Sequence, residues 1–227
     1  MCRLAPPPFV RAVAYGPYES RLKDAIHALK YDRLVPASRE LGCRLAHAIA
    51  QLADEAPAEM LVVPVPLHRA KYSDRGFNQA HMLATHAVAF LRCTHSSWHL
   101  TLLPHALERQ RATGSQAGLT ARQRRLNLRG AFRVPDSAAV AGKHVLLVDD
   151  IFTTGATARS ASRVLLAAGA ETVWVATLAR SRLRGANQAI SAASYLDAAG
   201  SGALSGPASG STTEPASMHS SARHLSS

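Results

Sequence analysis

Apolar side chains recur every three or four positions in several segments of the chain, which is the spacing of amphipathic helices. This pattern predicts helices over residues 19–31, 37–53, 78–92 and 156–168. A further helix is expected to begin at Thr120, which forms a capping-box pattern with Gln123. Short apolar runs predict strands over residues 60–65, 101–103, 131–134, 144–149 and 171–178.

The order of these elements indicates the fold class. Strands alternate with helices, which predicts an α/β protein with a doubly wound, mostly parallel sheet. The first two helices precede the first predicted strand, so we expect them to flank the core. Residues 18–184 are predicted to form one domain. Residues 185–227 are rich in Ser, Ala and Gly without periodicity, which predicts a disordered tail.

The most informative segment reads VLLVDDIFTTGAT, from Val145 to Thr157. A buried strand is predicted to end at two carboxylates, Asp149 and Asp150, which can accept hydrogen bonds from sugar hydroxyls. A loop and a helix N-terminus follow, where backbone N–H groups and the helix dipole favour an anion. The segment therefore predicts a sugar-phosphate site. Its phosphate would lie against the small and hydroxyl-bearing residues Thr153, Thr154, Gly155, Ala156 and Thr157.

A second loop offers a second anion site. It follows the strand at 60–65 and contains Pro66, Leu67, His68 and Arg69, with Lys71 and Arg75 just beyond. Guanidinium groups match phosphate oxygens, and an ammonium group adds a point charge. Ligands of α/β sheets bind at the carboxyl ends of the strands, so we expect both loops to open at one edge. This loop is the predicted pyrophosphate site.

The most basic part of the chain runs from residue 109 to residue 133. Three interpretations remain open for it: a solvated basic helix, a lid that closes over a polyphosphate, and a groove for single-stranded nucleic acid. Phe132 is the one aromatic side chain in this stretch. The residues expected to belong to the lid or to contact nucleic acid are Arg111, Gln116, Arg124 and Arg125.

Composition adds two expectations. The formal net charge of +11 suggests phosphate-rich partners, although a solvated basic surface gives the same number. No apolar run reaches the length of a membrane span, and the 3 cysteines lie far apart. We therefore expect a cytoplasmic protein without a membrane partner.

Three blocks in this order, VPVPLHR…RGFNQ, RAT…QAGLT…RRLNLRGAF and VLLVDDIFTTGAT, resemble the ComF family of competence-associated proteins. The segment IHALKY at residues 26–31 also matches that family. The last block resembles the signature by which type I phosphoribosyltransferases bind phosphoribosyl pyrophosphate (PRPP). The resemblance implies that fold, catalytic ribose contacts from Asp149 and Asp150, and Mg²⁺ bound through PRPP rather than by protein ligands alone.

The same resemblance implies a small N-terminal zinc module with four cysteines. Only Cys2 matches a ligand, so residues 1–17 are interpreted as a remnant of that module and its connection. A structural zinc site needs about four ligands, and we expect no zinc in this chain. A start codon assigned too late would explain the missing cysteines.

Two principal functions fit these features, and a third is weaker. The first is transfer of phosphoribose from PRPP to an unknown acceptor, linked to DNA uptake. The second is a non-enzymatic adaptor that senses PRPP or a nucleotide and binds single-stranded DNA or a competence helicase. The third is nucleobase salvage, for which no base-recognition element is evident in the sequence.

Overall fold

The computed structural model of the protein describes residues 6–31, 36–110 and 130–181. The strands are β1 (Ala12–Pro17), β2 (Glu59–Pro64), β3 (His99–Leu102), β4 (Glu108–Arg109), β5 (Phe132–Arg133), β6 (His144–Phe152) and β7 (Thr172–Arg180). The helices are α1 (Ser20–Tyr31), α2 (Ala37–Ala50), α3 (Arg69–Arg75), α4 (Gln79–Thr94) and α5 (Ala156–Ala167).

Five strands form one parallel sheet in the order β1-β7-β6-β2-β3. The central strands β6 and β7 are almost continuously apolar, as strands covered on both faces are. The short strands β4 and β5 pair antiparallel as a separate ribbon. The predicted parallel α/β fold is confirmed.

Helices cover both faces of the sheet, as a doubly wound fold requires. On one face, α1, α2 and α4 pack their apolar stripes against β6 and β7 through residues such as Ile26, Leu45 and Leu83. On the other face, α5 and the β4–β5 ribbon bury Leu165 and Phe132 against the same strands. The two cores hold β6 rigidly at the centre, and the acid pair lies near its carboxyl end.

The structure corrects the interpretation of residues 1–17. Residues 12–17 form β1, and Val13 pairs with Ala176 at the edge of the sheet. The folded domain therefore begins before residue 18. Only Val13 and Gly16 of β1 are buried, and the strand ends at Pro17, so the sequence carries little of the pattern that marks a strand.

Helix α3 was also absent from the prediction, because none of its residues is buried and no apolar period marks it. The helix expected from Thr120 and the tail expected over 185–227 lie outside the described residues. Among the described helices, none combines the length and the apolar character needed to cross a lipid bilayer.

Candidate functional site

The site is built where β6 ends and α5 begins. Strand β6 continues through both acids to Phe152, three residues further than the apolar run predicts. Gly155 then adopts φ 70° and serves as the N-cap of α5 without a side-chain hydrogen bond. The first N–H groups of a helix have no intrahelical partner, so the first turn of α5 can bind an anion.

A narrow crevice lies along this turn. Its lining includes Asp149 from β6 and, from the predicted phosphate loop, Thr153, Gly155, Ala156 and Thr157. The hydroxyl of Thr154 is buried and has no hydrogen-bond partner in the described part of the chain. A buried hydroxyl without a partner is costly, and a phosphate oxygen at the loop would satisfy it. The crevice thus brings together one acid and four of the five residues of the predicted phosphate loop.

Gly155 is required at its position for two reasons. A Cβ placed there would lie 2.6 Å from the Cζ atom of Phe152, and the positive φ strains any other residue. The Phe152 ring in turn meets the ring of Phe9 edge to face at 6.2 Å, and the Arg180 guanidinium lies 5.4 Å from its centroid. The ring that limits the space at Gly155 is therefore itself packed between an aromatic and a cationic side chain.

The surroundings of Asp149 shift the pKa of its carboxyl group. Burial, followed by the negative charge of Asp150, raises the pKa of Asp149 to about 7. A hydrogen bond from the Asp150 N–H and the positive charges of Lys30 and Arg109 oppose that rise. A carboxyl whose pKa lies near neutrality is typical of a functional site.

Asp150 does not line the crevice with Asp149. Successive side chains of a strand point to opposite faces, so Asp150 lies on the side of α1 and α4. Its Oδ2 lies 2.6 Å from Nζ of Lys30 and accepts a 3.1 Å hydrogen bond from Nε2 of Gln79. The structure gives each acid a different environment, and the contact of both acids with a ribose stays a prediction.

The predicted pyrophosphate loop lies beside this acid pair. Pro66, Leu67 and His68 are half-buried between β2 and α3, and Arg69 is exposed. Nδ1 of His68 accepts a 3.2 Å hydrogen bond from the N–H of Ala70, so this side chain caps α3. The loop adjoins the end of β6 because β2 pairs with β6.

Asn78 closes the far end of the loop. It caps α4 by accepting from the N–H of Ala80, as the sequence predicts for an N-cap residue. Its Nδ2 also donates to the carbonyl of Val65 over 3.1 Å. The two ends of the segment that carries α3 are thereby tied together.

Cations from three elements surround the acids. Partial burial of its ammonium group lowers the pKa of Lys71, and the charges of Arg109, Arg75 and Lys30 lower it further, while Asp150 opposes them. These four cations come from α1, α3 and β4. Arg109 is close enough to Asp149 for the two charges to affect each other, and its guanidinium lies 5.5 Å from the ring centroid of Phe132. Four cations beside two acids leave an excess of positive charge for a polyanion.

Four of the predicted site residues belong to a part of the chain that the structure does not describe. Arg111, Gln116, Arg124 and Arg125, the predicted lid or nucleic-acid residues, lie outside the described residues. Within the described ranges, no group of three or more His, Cys, Asp or Glu side chains is arranged to hold a metal ion.

Sequence reasoning gave no role to Lys30, Gln79 or Arg180. Lys30 and Gln79 belong to segments that matched the ComF family, but their contact with Asp150 joins parts of the chain that are far apart in sequence. Arg180 reaches the loop because β7 pairs with β6 up to Phe152. Pairing of this kind follows from the sheet order, which the sequence pattern does not fix.

Comparisons with known proteins agree with this architecture. The family model described as phosphoribosyl transferase domain matches residues 80–196. The DNA utilization protein YhgH of Escherichia coli O157:H7 is 36% identical over 183 residues, which are 79% of this chain and 76% of that protein. Competence protein F of Haemophilus influenzae is 30% identical over 182 residues, again 79% and 76% of the two chains.

A shorter match is found with competence protein ComFC of Bacillus subtilis, 34% identical over 122 residues, or 53% of this chain and 45% of that protein. The family model, the extent of the longer matches and the β6–α5 site lead to one assignment. The chain belongs to the ComF family of phosphoribosyltransferase-domain proteins.

Proposed function

We propose that this protein binds PRPP at the carboxyl end of β6 and transfers its phosphoribosyl group to an acceptor during DNA utilization. The observation that carries the proposal is the crevice at the N-terminus of α5. There the carboxyl of Asp149 lines the crevice from the end of β6, and the buried, unpartnered hydroxyl of Thr154 lies in the loop that follows this strand. A sugar phosphate matches both groups, since its hydroxyls donate to a carboxylate and its phosphate accepts from a hydroxyl.

The 5-phosphate would occupy the Thr153–Thr157 loop. Gly155 would let the backbone approach the phosphate closely, and the first N–H groups of α5 would donate to it. The binding energy of this remote group would orient the reacting carbon of the ribose, which raises the rate of the chemical step as well as the affinity.

The diphosphate of PRPP would lie on the cationic side, toward Lys71, Arg75 and Arg109. Their charges influence one another, and the repulsion among them would fall when a polyanion binds. This placement puts the leaving group on one side of Asp149 and the 5-phosphate on the other.

In the transfer step, a nucleophilic acceptor atom forms a bond to ribose C1 while the bond from C1 to the diphosphate oxygen breaks. The electron pair of that bond leaves with pyrophosphate, and the acceptor then loses its proton. The ribose passes through an oxocarbenium-like state, which the carboxylate of Asp149 would stabilise. Mg²⁺ carried by the diphosphate would neutralise charge on the leaving group. The residues present fit this ion, because the carboxylate of Asp149 lines the crevice and oxygen ligands suit Mg²⁺.

The decisive experiment is a thermal-shift titration with PRPP and Mg²⁺, followed by an assay for pyrophosphate release. Binding to the folded state is expected to raise the melting temperature, and the rise is expected to grow with the logarithm of the ligand concentration above Kd. Asp149→Asn, which keeps the shape of the side chain, is expected to abolish pyrophosphate release. If PRPP leaves the melting temperature of the native protein unchanged, the proposal is wrong.

One observation favours a second function, that of an adaptor for single-stranded DNA that serves a helicase partner. Tyr72 on α3 is 52% exposed, and its neighbours Arg69 and Lys71 are exposed cations. Bases stack on such aromatic side chains while cations contact the phosphates. The names of the relatives, which refer to DNA utilization and competence, agree with this function.

Fluorescence anisotropy with a labelled oligonucleotide tests the adaptor. Tyr72→Ala is expected to weaken binding about tenfold, and affinity is expected to fall steeply with salt. Tyr15→Ala is the matched control, since Tyr15 is 42% exposed on β1, at the opposite edge of the sheet from β3. Equal effects of the two substitutions would exclude α3 as the contact surface.

A further inference from the structure

Lys30 forms an ion pair with an acid that the crevice itself does not use. Its Nζ lies 2.6 Å from Oδ2 of Asp150, and the two side chains are 16% and 8% exposed. Lys30 comes from α1, which reaches the end of β6 from the far side of the sheet. Ion pairs this well buried are weak evidence for stability, because desolvation offsets most of the attraction. A role in the site is the better explanation.

Gln79, the first residue of α4, contacts the same oxygen of Asp150. Its Nε2 donates to Oδ2 over 3.1 Å, and its Oε1 accepts a 3.2 Å hydrogen bond from Arg75. Gln79 is 5% exposed, and both the nitrogen and the oxygen of its amide are hydrogen-bonded. Gln79 therefore connects Asp150 to the cationic helix α3.

Both contacts use one carboxylate oxygen. Oδ1 of Asp150 has no hydrogen bond or ion pair with the described residues, although the side chain is almost entirely enclosed. An ionised carboxylate can accept about four hydrogen bonds, so Oδ1 keeps its acceptor capacity. The chain has thus immobilised the carboxylate by one oxygen only.

We propose that Lys30 is a positioning residue that, with Gln79, holds Asp150 by Oδ2 and leaves Oδ1 to accept a hydrogen bond from a sugar hydroxyl of the ligand. This inference rests on the proposed PRPP site and deepens it. Asp149 then contacts the ligand from the wall of the crevice, and Asp150 contributes one oriented oxygen from the neighbouring position of the strand. Lys30 acts through Asp150 and does not touch the ligand.

A double-mutant cycle on PRPP affinity tests this role. Isothermal titration with PRPP and Mg²⁺ is carried out on the native protein, Lys30→Met, Asp150→Asn and the double variant. Lys30→Met alone is expected to weaken binding about tenfold. In the Asp150→Asn background the same change is expected to alter affinity by less than about twofold, because the oriented oxygen is already lost.

Lys23→Met is the matched control. Lys23 is exposed on the same helix, so the identical chemical change there is expected to leave affinity unaltered. Gln79→Met supplies a second cycle with Asp150→Asn in case Lys30→Met does not fold. It removes one contact to Oδ2 while the ion pair stays, and is expected to weaken binding about threefold in the native background and not in the Asp150→Asn background.

The outcomes distinguish failure of the proposed PRPP site from failure of the positioning role of Lys30. If the native protein does not bind PRPP, the proposed function is wrong. If it binds and Lys30→Met weakens binding equally in both backgrounds, or not at all, the positioning role is overturned while the PRPP site stands. A general structural defect from losing Lys30 would act in both backgrounds, whereas positioning through Asp150 acts in one.

Discussion

The backbone N–H of Asp150 donates to Oδ1 of Asp149 over 2.9 Å, so the second acid of the pair orients the first. The same neighbour destabilises the charge of Asp149, because two carboxylates at adjacent positions repel each other. Burial is the larger effect, and together they raise the pKa of Asp149 to about 7. Near neutral pH, Asp149 is therefore divided between its protonated and ionised forms.

The raised pKa predicts how stability depends on pH. The folded state holds a proton on Asp149 up to about pH 7, whereas the unfolded chain releases it near its ordinary value of 3.8. This residue therefore makes the free energy of unfolding fall as pH rises from about 4 to 7. Asp149→Asn removes that contribution.

Thermal unfolding of both proteins across that range measures the effect. The variant is expected to match the native protein near pH 4, to exceed its stability increasingly up to about pH 7, and to keep a constant margin above that pH. A stability difference that is constant across the range would contradict the assignment of the raised pKa to Asp149.

Thr154→Val replaces the buried, unpartnered hydroxyl of the loop with a methyl group. Affinity for PRPP is expected to fall about tenfold, the effect of losing one hydrogen bond to a charged group. The unliganded protein is expected to be as stable as before or slightly more so, because an unsatisfied polar group has been removed. Calorimetry with and without ligand checks both parts.

Ser162→Ala is the control for that experiment. The hydroxyl of Ser162 on α5 is also buried without a partner in the described residues, but it lies two turns beyond the loop. Its removal is expected to leave PRPP affinity unchanged. If both substitutions weaken binding alike, the Thr154 hydroxyl does not contact the phosphate.

Gly155→Ala is expected to damage both stability and binding. The positive φ costs an alanine about 1–2 kcal/mol, and its Cβ would also overlap the Phe152 ring, which must move. Displacing that ring would deform the loop, so we expect PRPP affinity to drop more than about tenfold. Denaturant unfolding and calorimetry measure the two effects.

Gly142→Ala separates backbone strain from the overlap. Gly142 has φ 65°, and nothing lies within 4 Å of a Cβ built on it. Its substitution is expected to carry the strain alone and to leave PRPP affinity intact. A comparable loss of affinity there would mean that the Gly155 effect is a general loss of stability.

Arg109→Met tests the proposed diphosphate position. The guanidinium acts electrostatically on both Lys71 and Asp149, so its loss is expected to reduce affinity for pyrophosphate and Mg²⁺ about tenfold. Arg133→Met, on the paired strand, removes an exposed arginine that bonds Glu108, and is expected to have little effect. Equal losses would indicate a diffuse charge effect instead of a contact.

The central part of the fold could be predicted from the sequence because its signals are local. The run from Val145 to Thr157 contains a buried strand, the acids and the loop in order, and helix α5 begins at Ala156 as its apolar period predicts. The phosphate loop and the cap at Asn78 follow from neighbouring residues alone.

The remainder depends on contacts between distant parts of the chain. The different environments of Asp149 and Asp150 follow from the strand alternation and from the arrival of Lys30 on α1. Edge strand β1 and the unburied helix α3 carry no apolar period, so tertiary pairing and capping define them. Patterns of single residues do not encode such relationships.

The pairing of β1 with β7 has a consequence for how the protein is made. Strand β1 is synthesised before the other described strands, and it can pair in the sheet only after β7, near the end of the described domain, has been synthesised. Until β7 has been synthesised, the sheet face against which α1 and α2 pack is incomplete. Nascent chains that stop short of Thr172 will therefore leave one apolar face unclosed, and their capture by chaperones is expected to end once β7 has emerged.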